Sequence, residues 1–140
     1  MKPSILFLCT GNSCRSQMAE GWGRALQAEN FNFYSAGIEK HGKNPSAIKV
    51  MSEAGVDISS QESQTVDELP VDSFDYVITV CGHADDNCPY FPAKTKIIHH
   101  GFEDPPKLAL AFTNKEKQLD CYRKVRDQIK SFIEKITDYL

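Results

Sequence analysis

Apolar positions along the chain fall into two kinds of run. Ile5-Leu6-Phe7-Leu8 and Tyr76-Val77-Ile78-Thr79-Val80 are short and almost uninterrupted, which predicts strands buried on both faces. Shorter runs at 31–36 and 95–99 predict two more. The segments between them carry helical spacing instead. Residues 16–29 set Met18, Ala19, Trp22, Ala25 and Leu26 on one stripe, and 45–54 opens with Pro45 at a first-turn position and stops at Gly55. From about 117 to 139, Leu119, Tyr122, Val125, Ile129, Phe132, Ile133, Ile136 and Leu140 recur every three or four residues among charged positions. Strand, helix, strand, helix, strand, loop, strand, helix predicts an α/β fold with a parallel sheet covered on both faces.

Composition bounds this picture. At 140 residues, 41% hydrophobic and 25% charged, the chain suits one globular domain spanning 1–140. Its apolar runs are too short to span a bilayer, and Met1-Lys2-Pro3 leads straight into a strand, so a cytoplasmic protein without membrane contact is expected. A net charge of -3 argues against a nucleic-acid partner. No long apolar patch suggests an obligate dimer, so a monomer is expected. Five cysteines, Cys9, Cys14, Cys81, Cys88 and Cys121, make a structural disulfide framework unlikely in a chain without an export signal. Their spacings, C-x4-C and C-x6-C, do not match structural zinc pairs, and no metal is expected.

Candidate chemistry gathers behind the first strand, in CTGNSCRS at 9–16. A parallel sheet puts its ligand site at the carboxyl ends of its strands, where loops enter helix N-termini whose free N–H groups suit an anion. Gly11 permits close backbone approach, Asn12 tolerates a left-handed conformation, and Arg15 can grip two oxygens with its planar fork. Thr10, Gly11, Asn12, Ser13, Cys14, Arg15 and Ser16 would form an oxyanion cradle with the Cys9 thiol at its floor. In that field a thiolate is favoured, and a cysteine pKa can fall from ~8.5 by several units. The absence of G-x-x-x-x-G-K-[ST] excludes a nucleotide loop of that type.

The stretch CTGNSCRSQMAEGW closely resembles the thioredoxin-coupled arsenate reductases, a family that shares its fold with the low-molecular-weight protein tyrosine phosphatases. YSAGIEKHGKNP at 34–45, VDIS at 56–59, VCGHADDNCP at 80–89 and GFEDPP at 101–106 extend the resemblance over nearly the whole chain. It implies a three-layer fold with a four-stranded parallel sheet and helices on both faces. Both branches share the thiol loop, so the loop leaves reductase and phosphatase open. Cys81 and Cys88 favour the reductase, because a phosphocysteine is resolved by water whereas reducing arsenic(V) takes two electrons from two thiols.

The resemblance implies a relay. Cys9 attacks arsenate held by Arg15 and the loop, Asp104 protonates the departing oxygen, and Cys81 releases arsenite by forming a transient Cys9–Cys81 disulfide. Cys88 then forms a Cys81–Cys88 disulfide, which thioredoxin reduces. The 82–88 stretch, rich in Asp, Asn and Gly, reads as a loop able to move. Phosphate and sulfate are expected competitors, weak phosphatase activity a side reaction, and no tightly bound cofactor is expected. Some relatives hold potassium through residues matching Asn12, Glu20 and Ser35 plus a Thr-Ser-Asp stretch, which here reads Glu62-Ser63-Gln64, so a potassium site is doubtful. Cys14 and Cys121 read as structural or packing residues, and His83, His99 and His100 as solvated or hydrogen-bonded loop residues. The segment 107–117 has no counterpart in the resemblance.

Overall fold

The computed structural model describes residues 2–71 and 73–140. Met1, which opens the segment read as leading directly into a strand, lies outside the described residues, as do Asp72 and the Asp85 side chain. Four strands, β1 (Ser4–Cys9), β2 (Asn32–Gly37), β3 (Tyr76–Thr79) and β4 (Lys96–His99), pair in parallel in the order β2-β1-β3-β4. β1 is central and has neighbours on both sides, which explains its unbroken apolar run: Ile5, Leu6, Phe7 and Leu8 are fully buried. β4 is an edge strand, and Ile97 on it is half-exposed.

Five helices follow the strands: α1 (Arg15–Leu26), α2 (Pro45–Glu53), α3 (Gly82–Asp86), α4 (Pro105–Ala109) and α5 (Lys115–Glu134). α1 packs against β1, β2, α2 and α5. Under it, Phe7 and Phe33 stack with ring centres 5.9 Å apart, and Gly23 is where α1 comes close enough to touch Phe33. The next residue on β2, Tyr34, points to the opposite face, where it meets Phe74 at 5.6 Å, and Phe74 in turn meets Phe91 at 6.4 Å. No helix among the described residues is long and apolar enough to cross a membrane.

Several boundaries differ from the sequence reading. α1 ends at Leu26 and is followed by a turn in which the Gln27 carbonyl accepts from the amides of Asn30 and Phe31; Ala25 and Leu26 are exposed rather than part of the stripe. α5 begins earlier, capped by the Asn114 side chain on Lys117 N–H, and stops at Glu134. A separate 3-10 turn, Ile136–Tyr139, carries Ile136 into the core. The stretch expected to be a loop after β3 is partly helical, as α3. α4 occupies part of 107–117, with Pro105 and Pro106 starting it behind Asp104.

Gly37 joins the sheet to the site. It pairs with Cys9, and a Cβ there would fall 2.1 Å from the Glu39 carbonyl oxygen and 2.8 Å from Asn12 N, both backbone atoms. No side-chain rotation relieves that crowding. Gly37→Ala is expected to lower stability by about 2 kcal/mol, read as a lower urea midpoint at unchanged slope; an unchanged midpoint would show that the loop yields without cost.

Candidate active site

β1 ends at Cys9, and the chain turns through Thr10–Cys14 into α1 at Arg15. The turn needs Asn12 at φ 49°, a left-handed conformation that asparagine tolerates. That residue is completely buried and held on three sides. Its Oδ1 accepts from Gln64 N–H at 2.9 Å, its Nδ2 donates to Ser16 Oγ at 2.8 Å, and its carbonyl accepts from Gln17 Nε2 at 3.0 Å. The loop is braced from outside as well, by Ser63 Oγ donating to the Gly11 carbonyl at 3.1 Å and Asn44 N–H to the Ser13 carbonyl at 3.1 Å. Arg15 donates from Nη1 to the Phe102 carbonyl at 3.0 Å and lies 3.9 Å from Asp104 Oδ1.

A cleft of about 280 Å³ opens over this loop. Cys9, Thr10, Gly11, Ser13, Cys14 and Arg15 line it, with His41, Asp104 and Pro106 completing it. Asn12 and Ser16, expected to bind substrate with the rest, point their side chains into the interior and bond each other, so only their main chain is available to an anion.

Cys81, two residues beyond β3, is buried at the same sheet edge, and its thiol and that of Cys9 influence each other's ionisation. The Cys81 sulfur lies 3.2 Å from Thr10 Oγ1 and accepts the Ala84 N–H at 3.4 Å, capping α3. These contacts tie the ionisation of Cys9, which the loop's field favours, to that of Cys81. The bond to Cys81 and burial raise the Cys9 pKa well above the usual thiol range, outweighing Arg15. Cys81 is drawn down to about 5, first by the bond from Cys9 and then by the Thr10 hydroxyl, the Ala84 amide and Arg15. The two thiols therefore titrate as one unit rather than as separate groups.

Cys88 is not in the cleft. It is half-buried beyond α3, and its neighbours Asn87 and Pro89 line a separate groove that includes Tyr90 and Val66. Cys14 is buried, and burial pushes its thiol up to about 12 against the pull of Arg15, so it stays protonated. Cys121 donates to the Lys117 carbonyl at 3.5 Å within α5 and does not line the cleft. His83 contacts Asn87 and His99 contacts Thr79 Oγ1, whereas His100 packs among Phe102, Phe132 and Tyr139 rather than lying in a solvated loop. The histidine at the cleft is His41, which the sequence reading did not single out.

Ser35 Oγ donates to Glu20 Oε1 at 2.5 Å, and Gln64 links Asn12 to the same strand by donating to the Asn12 Oδ1 and the Ser35 carbonyl. The carboxylate, however, already faces the Arg24 guanidinium at 3.0 Å, and Asn12 Oδ1 is occupied by Gln64 N–H. Burial raises the Glu20 pKa, with Ser35 and Arg24 opposing it. Glu20 and the Asn12 carboxamide oxygen are thus engaged by Arg24 and by Gln64 N–H.

Comparison with known proteins agrees with this geometry. Residues 4–140 match the family model for low molecular weight phosphotyrosine protein phosphatase. An arsenate reductase from Halalkalibacterium halodurans is 51% identical over 128 residues, covering 91% of this chain and 90% of that protein. Arsenate reductase 1 from Staphylococcus saprophyticus is 49% identical over 134 residues, 96% of this chain and 95% of that one. Among solved structures, an arsenate reductase in the phosphate binding state superposes with a TM-score of 0.75 at 32% identity, over the full length of both chains. A sheet of the same kind, a thiol loop at its carboxyl edge and similarity along the whole chain lead to one assignment: this protein belongs to the low molecular weight phosphotyrosine protein phosphatase family, alongside its arsenate reductases.

Proposed function

We propose that this protein is a cytoplasmic, monomeric arsenate reductase that works by a three-cysteine relay and takes its electrons from thioredoxin. The observation that carries this reading is the thiol pair: a second free, buried cysteine at the same sheet edge, its sulfur 3.2 Å from Thr10 Oγ1 beside the loop cysteine, is what a two-electron reduction requires and what ester hydrolysis does not.

Arsenate enters the cleft with its oxygens toward Arg15 and the loop amides. As Cys9 attacks arsenic, the proton it shares passes to Cys81, and Asp104 protonates the oxygen that departs as water. Cys81 then passes that proton to an oxygen of the departing arsenite as it attacks the Cys9 sulfur. The sulfur–arsenic bond breaks, its electron pair stays on arsenic, and arsenite leaves as the Cys9–Cys81 disulfide forms. Cys88 attacks Cys81, freeing Cys9, and the thioredoxin dithiol reduces the resulting Cys81–Cys88 disulfide. Two thiols are oxidised for each arsenic(V) reduced, so electrons balance. No step passes through a metal; the residues that would hold potassium are already paired with Arg24 and Gln64.

Thr10 has a second task in this scheme. Its hydroxyl stabilises negative charge on Cys81, the sulfur that must attack in the second step. α3 separates Cys81 from Cys88 by roughly 8–10 Å of helical rise, beyond the reach of a disulfide, so the third step requires α3 to unwind. A cradle for arsenate accepts phosphate esters too, so slow phosphatase activity accompanies reduction.

The test is arsenite production with thioredoxin, thioredoxin reductase and NADPH, run beside hydrolysis of an aryl phosphate. Cys9→Ser is expected to abolish both; arsenite formation by that variant would remove Cys9 as nucleophile. Cys88→Ser is expected to make one arsenite per protein and stop with Cys9 and Cys81 joined, seen by mass analysis of the peptides. Continued cycling would take Cys88 out of the relay.

The thiol pair predicts a pH response. A thiol lowered to about 5 is ionised above that pH and protonated below it, so thiolate absorbance near 240 nm is expected to appear as pH rises through about 5, and single-turnover arsenite formation with it. Thr10→Val removes a bond to the charged form, moves this midpoint up toward the ordinary cysteine value and slows release of arsenite roughly tenfold. A midpoint indifferent to Thr10 would break the link between that hydroxyl and Cys81.

A further inference from the structure

Given the reading of the cleft as an oxyanion site, we propose that His41 makes it selective for a free inorganic oxyanion, which carries a hydroxyl, over a phosphate ester, which does not. His41 lines the cleft together with Cys9, Arg15 and Asp104. Its ring rests on the anion loop: a Cβ placed on Gly11 would fall 2.2 Å from His41 Nδ1 and 2.5 Å from its Cγ. The backbone brings it there, since Glu39 N–H donates to the Thr10 carbonyl and His41 N–H to the Gly11 carbonyl, each at 2.9 Å.

The ring's tautomer follows from its partner. Nε2 lies 2.6 Å from a Glu39 carboxylate oxygen. A carboxylate only accepts, so Nε2 carries the proton, and Nδ1 of the neutral ring is left as an acceptor. Nδ1 has no hydrogen-bond partner among the described residues. An acceptor beside an anion cradle is repulsive toward a bare oxygen and attractive only toward a ligand that brings a proton. The inorganic oxyanion brings one, because its doubly charged form still keeps an O–H. A phosphate monoester loses its last proton at about pH 6, and its fourth oxygen carries carbon. Arg15 and the loop amides hold the bare oxygens of both ligands alike, and Asp104 serves the departing oxygen of either. His41 is therefore the group that tells them apart.

Binding to the Cys9→Ser protein, which cannot turn over, reads this without reference to activity. Calorimetric titration at pH 8 uses inorganic arsenate and 4-nitrophenyl phosphate, each with and without His41→Ala. The expected result is that His41→Ala weakens arsenate about tenfold and leaves the ester within twofold, while His41→Gln, which retains an acceptor, recovers part of the loss. Equal weakening of both ligands, weakening of neither, or no binding of either by the Cys9→Ser protein overturns the proposal. The reductase reading fails separately: wild-type protein that forms no arsenite with thioredoxin, yet shows the His41-dependent preference, overturns the relay and leaves the selectivity standing.

Discussion

β1 lies between β2 and β3, and its register with each decides what can meet at the carboxyl edge of the sheet. Leu8 pairs with Ala36 on one side and Thr79 on the other, so Cys9 emerges beside Gly37 and within reach of the chain that leaves β3. Val80 N–H donates to the Leu8 carbonyl at 2.9 Å, which extends the alignment one residue past the strand. Cys81 follows, and the two sulfurs meet across 72 positions of sequence. A one-residue slip of a strand would send every side chain to the opposite face and part the thiols. The fully buried Ile5–Leu8 run opposes such a slip, because it fixes β1 from both faces.

A second constraint is polar. The anion loop sits over a completely buried set of polar side chains, Asn12, Ser16 and Ser35, with Gln17, Glu20 and Gln61 almost as deep. Such groups are costly unless bonded, and here each has partners: Asn12 with Ser16 and Gln64, Gln17 with Asn12 and Gln61, Ser35 with Glu20. Satisfied in full, this layer holds the left-handed Asn12 in place and leaves the loop's outward face free for a ligand. Arg24 completes it by neutralising Glu20 from the solvent side.

The sequence made some of this legible and hid the rest for identifiable reasons. β1 and the loop behind it could be read because a continuous apolar run followed by Gly11, Asn12 and Arg15 has few other meanings in an α/β chain. α3 was hidden because Gly82, Asp86 and Asn87 are turn-forming residues; the cap that starts it comes from a cysteine sulfur. α4 was hidden behind Pro105 and Pro106, which read equally as a turn. The coupling of Cys9 to Cys81 could not be read from its own loop, since that partner follows another strand. His41 left no local signal, because main-chain bonds to Thr10 and Gly11 bring it to the cleft, and these depend on where β2 ends.

Cys81 holds two positions whose demands conflict, and the conflict bears on how a relay could advance. Its sulfur is the N-cap of α3, accepting the Ala84 amide, and a negatively charged sulfur does this well. A helix of five residues has little cohesion of its own and depends on such an end contact, worth about 1 kcal/mol. In the proposed relay, a disulfide between Cys81 and Cys9 would remove the charge from the Cys81 sulfur and draw it toward the loop, so the cap would weaken in the same step that releases product. α3 would then be least stable when Cys88 has to reach Cys81, and would be restored once both thiols were free again. The chemistry of one sulfur would in this way set the order of the steps.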